Sequence, residues 1–202
     1  MKNKTVAELS NGIDIPTKYA QKEWLYGDPF AEASLHNSEF RQWVIERTPH
    51  KTLAKNTTVL ANDMLNIRSN NTQFWWRSFV CSECECQGCR NGKETDLLLI
   101  IENSENVRFA IHVEVKHPWD IFSNSEQPSN YSIRANCWLT NAGLEHSHRR
   151  ILRHDHSSTL LLCSENRLDE YGSNAQFFDS LITFQEVKRS FPMIYNDRLV
   201  QL

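Results

Sequence analysis

The clearest pattern along the chain is a pair of apolar runs around a polar break. Residues 96–101 read Asp-Leu-Leu-Leu-Ile-Ile, 102–106 are polar, and 107–116 read Val-Arg-Phe-Ala-Ile-His-Val-Glu-Val-Lys. Two such runs joined by a short polar segment predict a β-hairpin. Pro118 ends it. Residues 74–80, rich in aromatics, predict a strand before the hairpin, and 159–164 predict a short buried strand after it.

Helical spacing appears on either side. Phe40, Trp43, Val44 and Arg47 recur at i, i+3, i+4 and i+7, with Asn37 or Ser38 as N-cap and Pro49 as a stop. A second helix is expected over 57–68, with Leu60, Met64, Leu65 and Ile67. A third is expected over 128–142, where Tyr131, Ala135, Trp138, Leu139 and Ala142 share a face. A last helix is expected over 174–189, with Phe177, Phe178, Leu181, Ile182 and Phe184. Residues 1–35 show weak periodicity, punctuated by Pro16, Gly27 and Pro29. They read as an ordered arm with at most a short helix near 16–25. The order predicts one α/β domain over 36–202, a central mixed sheet flanked by helices.

Composition sharpens this picture. The chain has 202 residues, 40% of them hydrophobic and 23% charged, which excludes wholesale disorder. No apolar run approaches the roughly 20 residues of a membrane span. The first residues carry lysines but no apolar stretch after them, so a cytoplasmic protein is expected. The net charge of −3 argues against a protein that coats nucleic acid non-specifically, while leaving room for a local basic groove.

A hairpin turn centred on Ser104 and Glu105 sets Asp96 opposite Glu114. Opposed residues share a face, with Cβ atoms roughly 4.5–5.5 Å apart. Lys116 lies two residues on and shares that face. The other face, Leu97, Leu99, Ile101, Phe109, Ile111, Val113 and Val115, is wholly apolar. Two carboxylates this close repel unless a cation sits between them, and Mg²⁺ takes oxygen ligands of this kind. A lysine beside the ion can orient or deprotonate a water, or offset charge on a phosphate. The plainer alternative is a cross-strand salt bridge on a solvated face. Leu98, Ile100 and Ala110 on the same face argue for partial burial.

Asp96, then seventeen residues, then Glu114-Val115-Lys116 resembles the PD-(D/E)XK nuclease superfamily. The resemblance covers about 39–165, with Thr95 where the name-giving proline would stand. It implies a restriction-endonuclease-like core in which Asp96, Glu114 and the carbonyl of Val115 bind Mg²⁺ and Lys116 is catalytic. It also implies a glutamate on the first core helix, for which Glu39 fits first and Glu46 second. Gln127 and Tyr131 match the Gln-x-x-x-Tyr element of some branches.

Cys81, Cys84, Cys86 and Cys89 have the spacing C-x2-C-x-C-x2-C, with Gly88 to ease a tight turn. Four thiolates suit a structural zinc. An iron–sulfur cluster, and free or disulfide thiols, are the alternatives for so short a segment. Cys137 and Cys163 stand alone in apolar surroundings and read as small buried hydrophobes.

Residues 145–156 hold Arg149, Arg150 and Arg153 among His146, His148, His154 and His156. They read as a phosphate-contacting stretch. The expected function is a Mg²⁺-dependent DNA endonuclease of restriction or defence type, acting on double-stranded DNA, with a homodimer left open. Two alternatives stand beside it. One is a catalytically silent, zinc-stapled nucleic-acid-binding module. The other is a His-metal nuclease using residues 146–156.

Overall fold

The computed structural model describes residues 19–67, 74–81, 84–90, 93–122, 125–143 and 151–200. Helix α1 (Tyr19–His36) and helix α2 (Ser38–Ile45) come first. The two-residue strand β1 (Thr58–Val59), helix α3 (Ala61–Asn66) and strand β2 (Arg77–Val80) follow. Strands β3 (Glu94–Glu102) and β4 (Arg108–Lys116) form the hairpin. Helix α4 (Gln127–Asn141) crosses to β5 (His156–Cys163). The short α5 (Leu168–Tyr171), β6 (Ser180–Thr183), α6 (Phe184–Ser190) and α7 (Asp197–Val200) close the described chain.

The sheet is mixed, with strand order β1-β3-β4-β5-β6, and β2 pairs with the opposite end of the β3 edge that β1 uses. The β3–β4 pairing is antiparallel, and Leu97 faces Val113 as the predicted register requires. The β4–β5 and β5–β6 pairings are parallel. A parallel return needs a crossover, and α4 supplies it. Both faces of the hairpin are covered, since Leu97 through Ile101 and Phe109 through Val113 are all fully buried. That explains why apolar residues also occupy the face carrying the charged groups.

Three elements differ from the sequence expectation. The short helix expected near 16–25 is instead an 18-residue helix over 19–36, with Pro29 inside it. Leu25, Tyr26, Phe30 and Ala31 anchor one side of it in the core. Tyr26 stacks on Phe184 and donates to the Leu199 carbonyl, while Tyr195 donates to the Tyr26 carbonyl. These contacts override the poor helix propensity of Gly27 and Pro29. The helix expected over 57–68 begins only at Ala61, because Thr58 and Val59 pair with β3. The last helix, expected over 174–189, begins at Phe184. Ser180–Thr183 extends the sheet instead, and Thr183 closes a capping box with Glu186. Leu181 and Ile182 satisfy helical spacing, but the free β5 edge offers them a ladder as well as burial.

Asn37 caps α2 as expected, its side chain accepting from the amides of Glu39 and Phe40. Arg41, almost fully buried, donates to the carbonyls of Ser34, Leu35 and Thr57. It ties the end of α1 to the segment entering β1.

Candidate active-site cleft and thiol cluster

A cleft of about 220 Å³ opens where β3 and β4 separate beside α1 and α4. Asp96, Glu114, Lys116, Gln127 and Tyr131 line it, together with Glu23 from α1. The β3–β4 ladder ends at the Leu97–Val113 pair. Beyond it Asp96 reaches β4 with its side chain, and Oδ2 accepts the Val115 N–H at 2.9 Å. The Asp96 amide donates to Tyr131 Oη at 3.3 Å. In an extended strand a residue's N–H and C=O face the same side, so the Val115 carbonyl also faces Asp96.

Glu114 is buried. Its Oε1 accepts from Gln127 Nε2 at 2.7 Å and lies 2.5 Å from Lys116 Nζ. Its Oε2 is buried without a hydrogen-bond partner among the described residues. Lys116 also contacts Asp120 Oδ2 at 3.1 Å, so its ammonium sits between two carboxylates.

The electrostatics follow from crowding acids in a desolvated place. Desolvation, then the charges of Glu114 and Glu23, push the Asp96 carboxyl well above the ordinary range. Desolvation pushes Glu114 the same way, but the Lys116 ammonium and hydrogen bonds outweigh it and hold Glu114 below its usual value. Desolvation lowers Lys116, and the charges of Glu114 and Asp96 more than reverse that, so it stays charged. Glu23 is pushed up to about 7, first by burial and then by Glu114. Burial and the neighbouring acids therefore favour protons on Asp96 and on Glu23. A divalent cation would replace them. The buried, unpartnered Glu114 oxygen fits such an ion, because a carboxylate oxygen in that position otherwise costs about 1–3 kcal/mol.

Of the residues expected here, Asp96, Glu114, Lys116, Gln127 and Tyr131 converge on the cleft. Glu39 does not. It lies exposed in the first turn of α2, away from the cleft lining. Glu46, the second choice, is also exposed. The helix that reaches the cleft is α1, and Glu23 is the acid it contributes. Weak periodicity in the first 35 residues concealed that helix; a glutamate beside the aromatic Trp24 and Tyr26 was the available signal.

The thiol cluster also differs in membership. The ligand atoms of Cys84, Cys86, Cys89 and Cys137 all lie within 4.8 Å of one another and could hold a metal ion. Cys81 is buried outside this group, at the end of β2. Cys137, expected as an isolated buried hydrophobe, is only partly buried, and its Sγ lies 3.5 Å from that of Cys84. Cys137 on α4 completes the set in the place expected of Cys81. Burial pushes Cys137 up to about 12. Hydrogen bonds from Cys89, Cys137 and Cys84 outweigh burial at Cys86 and lower it. Cys163 is fully buried in β5, as expected of a small hydrophobe.

Arg153 is exposed, while Arg149, Arg150, His146 and His148 lie outside the described residues. His154 is buried, with Nδ1 against the Leu152 carbonyl at 2.8 Å, whereas His156 is exposed. Among the described residues, the only group of three or more histidines, cysteines and acids whose ligand atoms lie close enough to share a metal ion is the thiol cluster; Asp96 and Glu114 form a pair, not such a group. No helix among them is long and apolar enough to cross a membrane. Comparison with protein-family models, with curated proteins and with solved structures gave no match.

Proposed function

We propose that the chain is a Mg²⁺-dependent endonuclease that hydrolyses phosphodiester bonds in DNA, of restriction or defence type, built on a restriction-endonuclease-like core. The observation that carries this reading is the meeting of Asp96, Glu114 and Lys116 in one cleft, with a buried Glu114 oxygen left unpartnered. Asp96, Glu114 and the Val115 carbonyl would hold the ion, and Glu23 adds negative charge to the same cleft wall. When bound, Mg²⁺ supplies Lewis-acid polarisation of a phosphate oxygen and lowers the pKa of a water.

The protein's own groups divide the remaining work. Gln127 fixes the orientation of Glu114 through its 2.7 Å hydrogen bond. Tyr131 holds the Asp96 backbone where β3 leaves the ladder. Lys116 is kept charged by its carboxylate neighbours, so it acts as a cation that offsets charge growing on the phosphate, not as a base. Lys93 and Arg134 add positive charge to the cleft wall for a phosphodiester to enter. The thiol cluster is read as a structural zinc site, because four thiolates leave no open position for catalysis. An iron–sulfur cluster would spread its cysteines around several irons, and these sulfurs are gathered tightly enough for one ion.

Supercoiled plasmid incubated with the protein in Mg²⁺ and in EDTA tests the proposal. Nicked or linear DNA is expected with Mg²⁺ alone. Intact plasmid in Mg²⁺ overturns it, and DNA binding without cleavage would then favour a silent binding module.

A further inference from the structure

We infer that Cys84, Cys86, Cys89 and Cys137 hold a single tetrahedral zinc-class ion, and that this ion clamps the β2–β3 loop onto α4, fixing the helix that presents Gln127 to Glu114. The ion stands apart from the nuclease reading; its consequence for catalysis rests on that reading.

Three of the ligands come from the loop and the fourth from α4. Four Zn–S bonds of about 2.3 Å in a tetrahedron place the sulfurs about 3.8 Å apart. The cluster, with every ligand atom within 4.8 Å of the others, is already near that size. Two donors support the sulfurs from outside. Trp138 Nε1 donates to Cys89 Sγ at 3.2 Å, and Asn141 Nδ2 approaches Cys137 Sγ at 3.6 Å. Such outer hydrogen bonds orient metal ligands, and removing one typically costs 10–100-fold in affinity.

The loop also meets α4 nearer the cleft. A Cβ on Gly88 would lie 2.6 Å from the Arg134 backbone nitrogen and 2.8 Å from the Asn130 carbonyl oxygen, so only glycine permits this approach. Arg134, itself buried, donates to the Gly88 carbonyl at 3.1 Å. From Cys137 to Gln127 is about 15 Å of helix at 1.5 Å per residue. One rigid element therefore carries a metal ligand near one end and the Glu114 partner at the other.

The test begins with zinc content in wild-type protein and in Cys81→Ala and Cys137→Ser, each shown to be folded by circular dichroism. About one zinc per chain is expected in wild type and in Cys81→Ala, with at least a tenfold loss of occupancy in Cys137→Ser. Cobalt substituted into wild type should give the visible bands of a tetrahedral four-sulfur site, a readout that does not depend on any variant folding. Absence of metal from wild type, or zinc lost from Cys81→Ala and kept in Cys137→Ser, overturns the assignment. Hydrogen exchange before and after chelation reads the clamp. Amides of 127–134 should lose at least tenfold protection while those of β4 and β5 keep theirs. Unchanged protection in α4, or an equal loss throughout the sheet, overturns the clamp. Mg²⁺ binding by zinc-loaded wild type separates the two readings: its failure counts against the nuclease and leaves the clamp standing.

Discussion

Asp96 Oδ2 accepts the Val115 N–H at 2.9 Å, so a carboxylate takes the place in the β3–β4 ladder that a backbone carbonyl would fill. That substitution opens the sheet at the point where Glu114 and Lys116 leave β4. It also fixes Asp96 without spending its second oxygen on the ladder. Chemistry and strand separation thus share one cause.

Glu23 and Glu39 give the sharpest contrast between two acids. Glu23→Gln should weaken Mg²⁺ binding and lower cleavage by about 10-fold or more, the scale of a lost electrostatic contact in a partly desolvated site. Glu39→Gln should leave both unchanged, because its carboxylate is exposed and outside the cleft. Calorimetry with Mg²⁺ on the two variants decides it; equal losses would remove Glu23 from the site.

The β3–β4 hairpin was legible because its period of two leaves a single register that keeps charges out of the apolar face, and Leu97–Val113 is that register. Gln127 and Tyr131 were legible only through the resemblance, whose Gln-x-x-x-Tyr element they match. Glu23 and Cys137 were not, since each reaches its cluster only through tertiary packing. Residues 174–183 were misread because Phe177, Phe178, Leu181 and Ile182 satisfy a helix and a short strand equally. The available edge of β5 decided the matter, and nothing local announces that edge.

Proton linkage gives a pH dependence with a definite sign. Asp96 and Glu23 are both raised, Glu23 to about 7 from an ordinary 4.5. The folded metal-free protein therefore holds these protons more tightly than the unfolded chain does. For Glu23 the stabilising contribution is full below about pH 4.5 and is lost as pH rises through about 7; Asp96 acts in the same direction. Mg²⁺ must displace the same protons. The Mg²⁺-induced rise in Tm should therefore be larger at pH 8 than at pH 5.5, as differential scanning calorimetry would show; a rise independent of pH would contradict it.

Tyr131→Phe removes the acceptor of the Asp96 N–H while keeping the ring that packs against Phe178. The expected cost is about 1–3 kcal/mol in urea unfolding, as for a buried donor left unpaired. Weaker Mg²⁺ binding should accompany it, because Asp96 loses its backbone anchor. Unchanged stability and unchanged Mg²⁺ affinity would show that the Tyr131 hydroxyl plays no part in holding Asp96.

Arg149→Ala with Arg150→Ala should weaken DNA binding on all sequences alike and leave Mg²⁺ affinity intact. Two lost phosphate contacts should flatten the salt dependence of log affinity by about 2. The comparison is made in Ca²⁺, which blocks cleavage. Identical slopes would move the DNA groove to Lys93 and Arg134 at the cleft wall.

Cleavage by Asp96→Asn tests the central claim most directly. The substitution keeps the side chain's size and a carbonyl oxygen able to accept from Val115, so β3 should hold its place while one metal-binding charge disappears. Plasmid cleavage in Mg²⁺, measured beside wild type on protein of matched Tm, should fall by at least about 100-fold. Full cleavage by Asp96→Asn would contradict the assignment of this cleft as the active site.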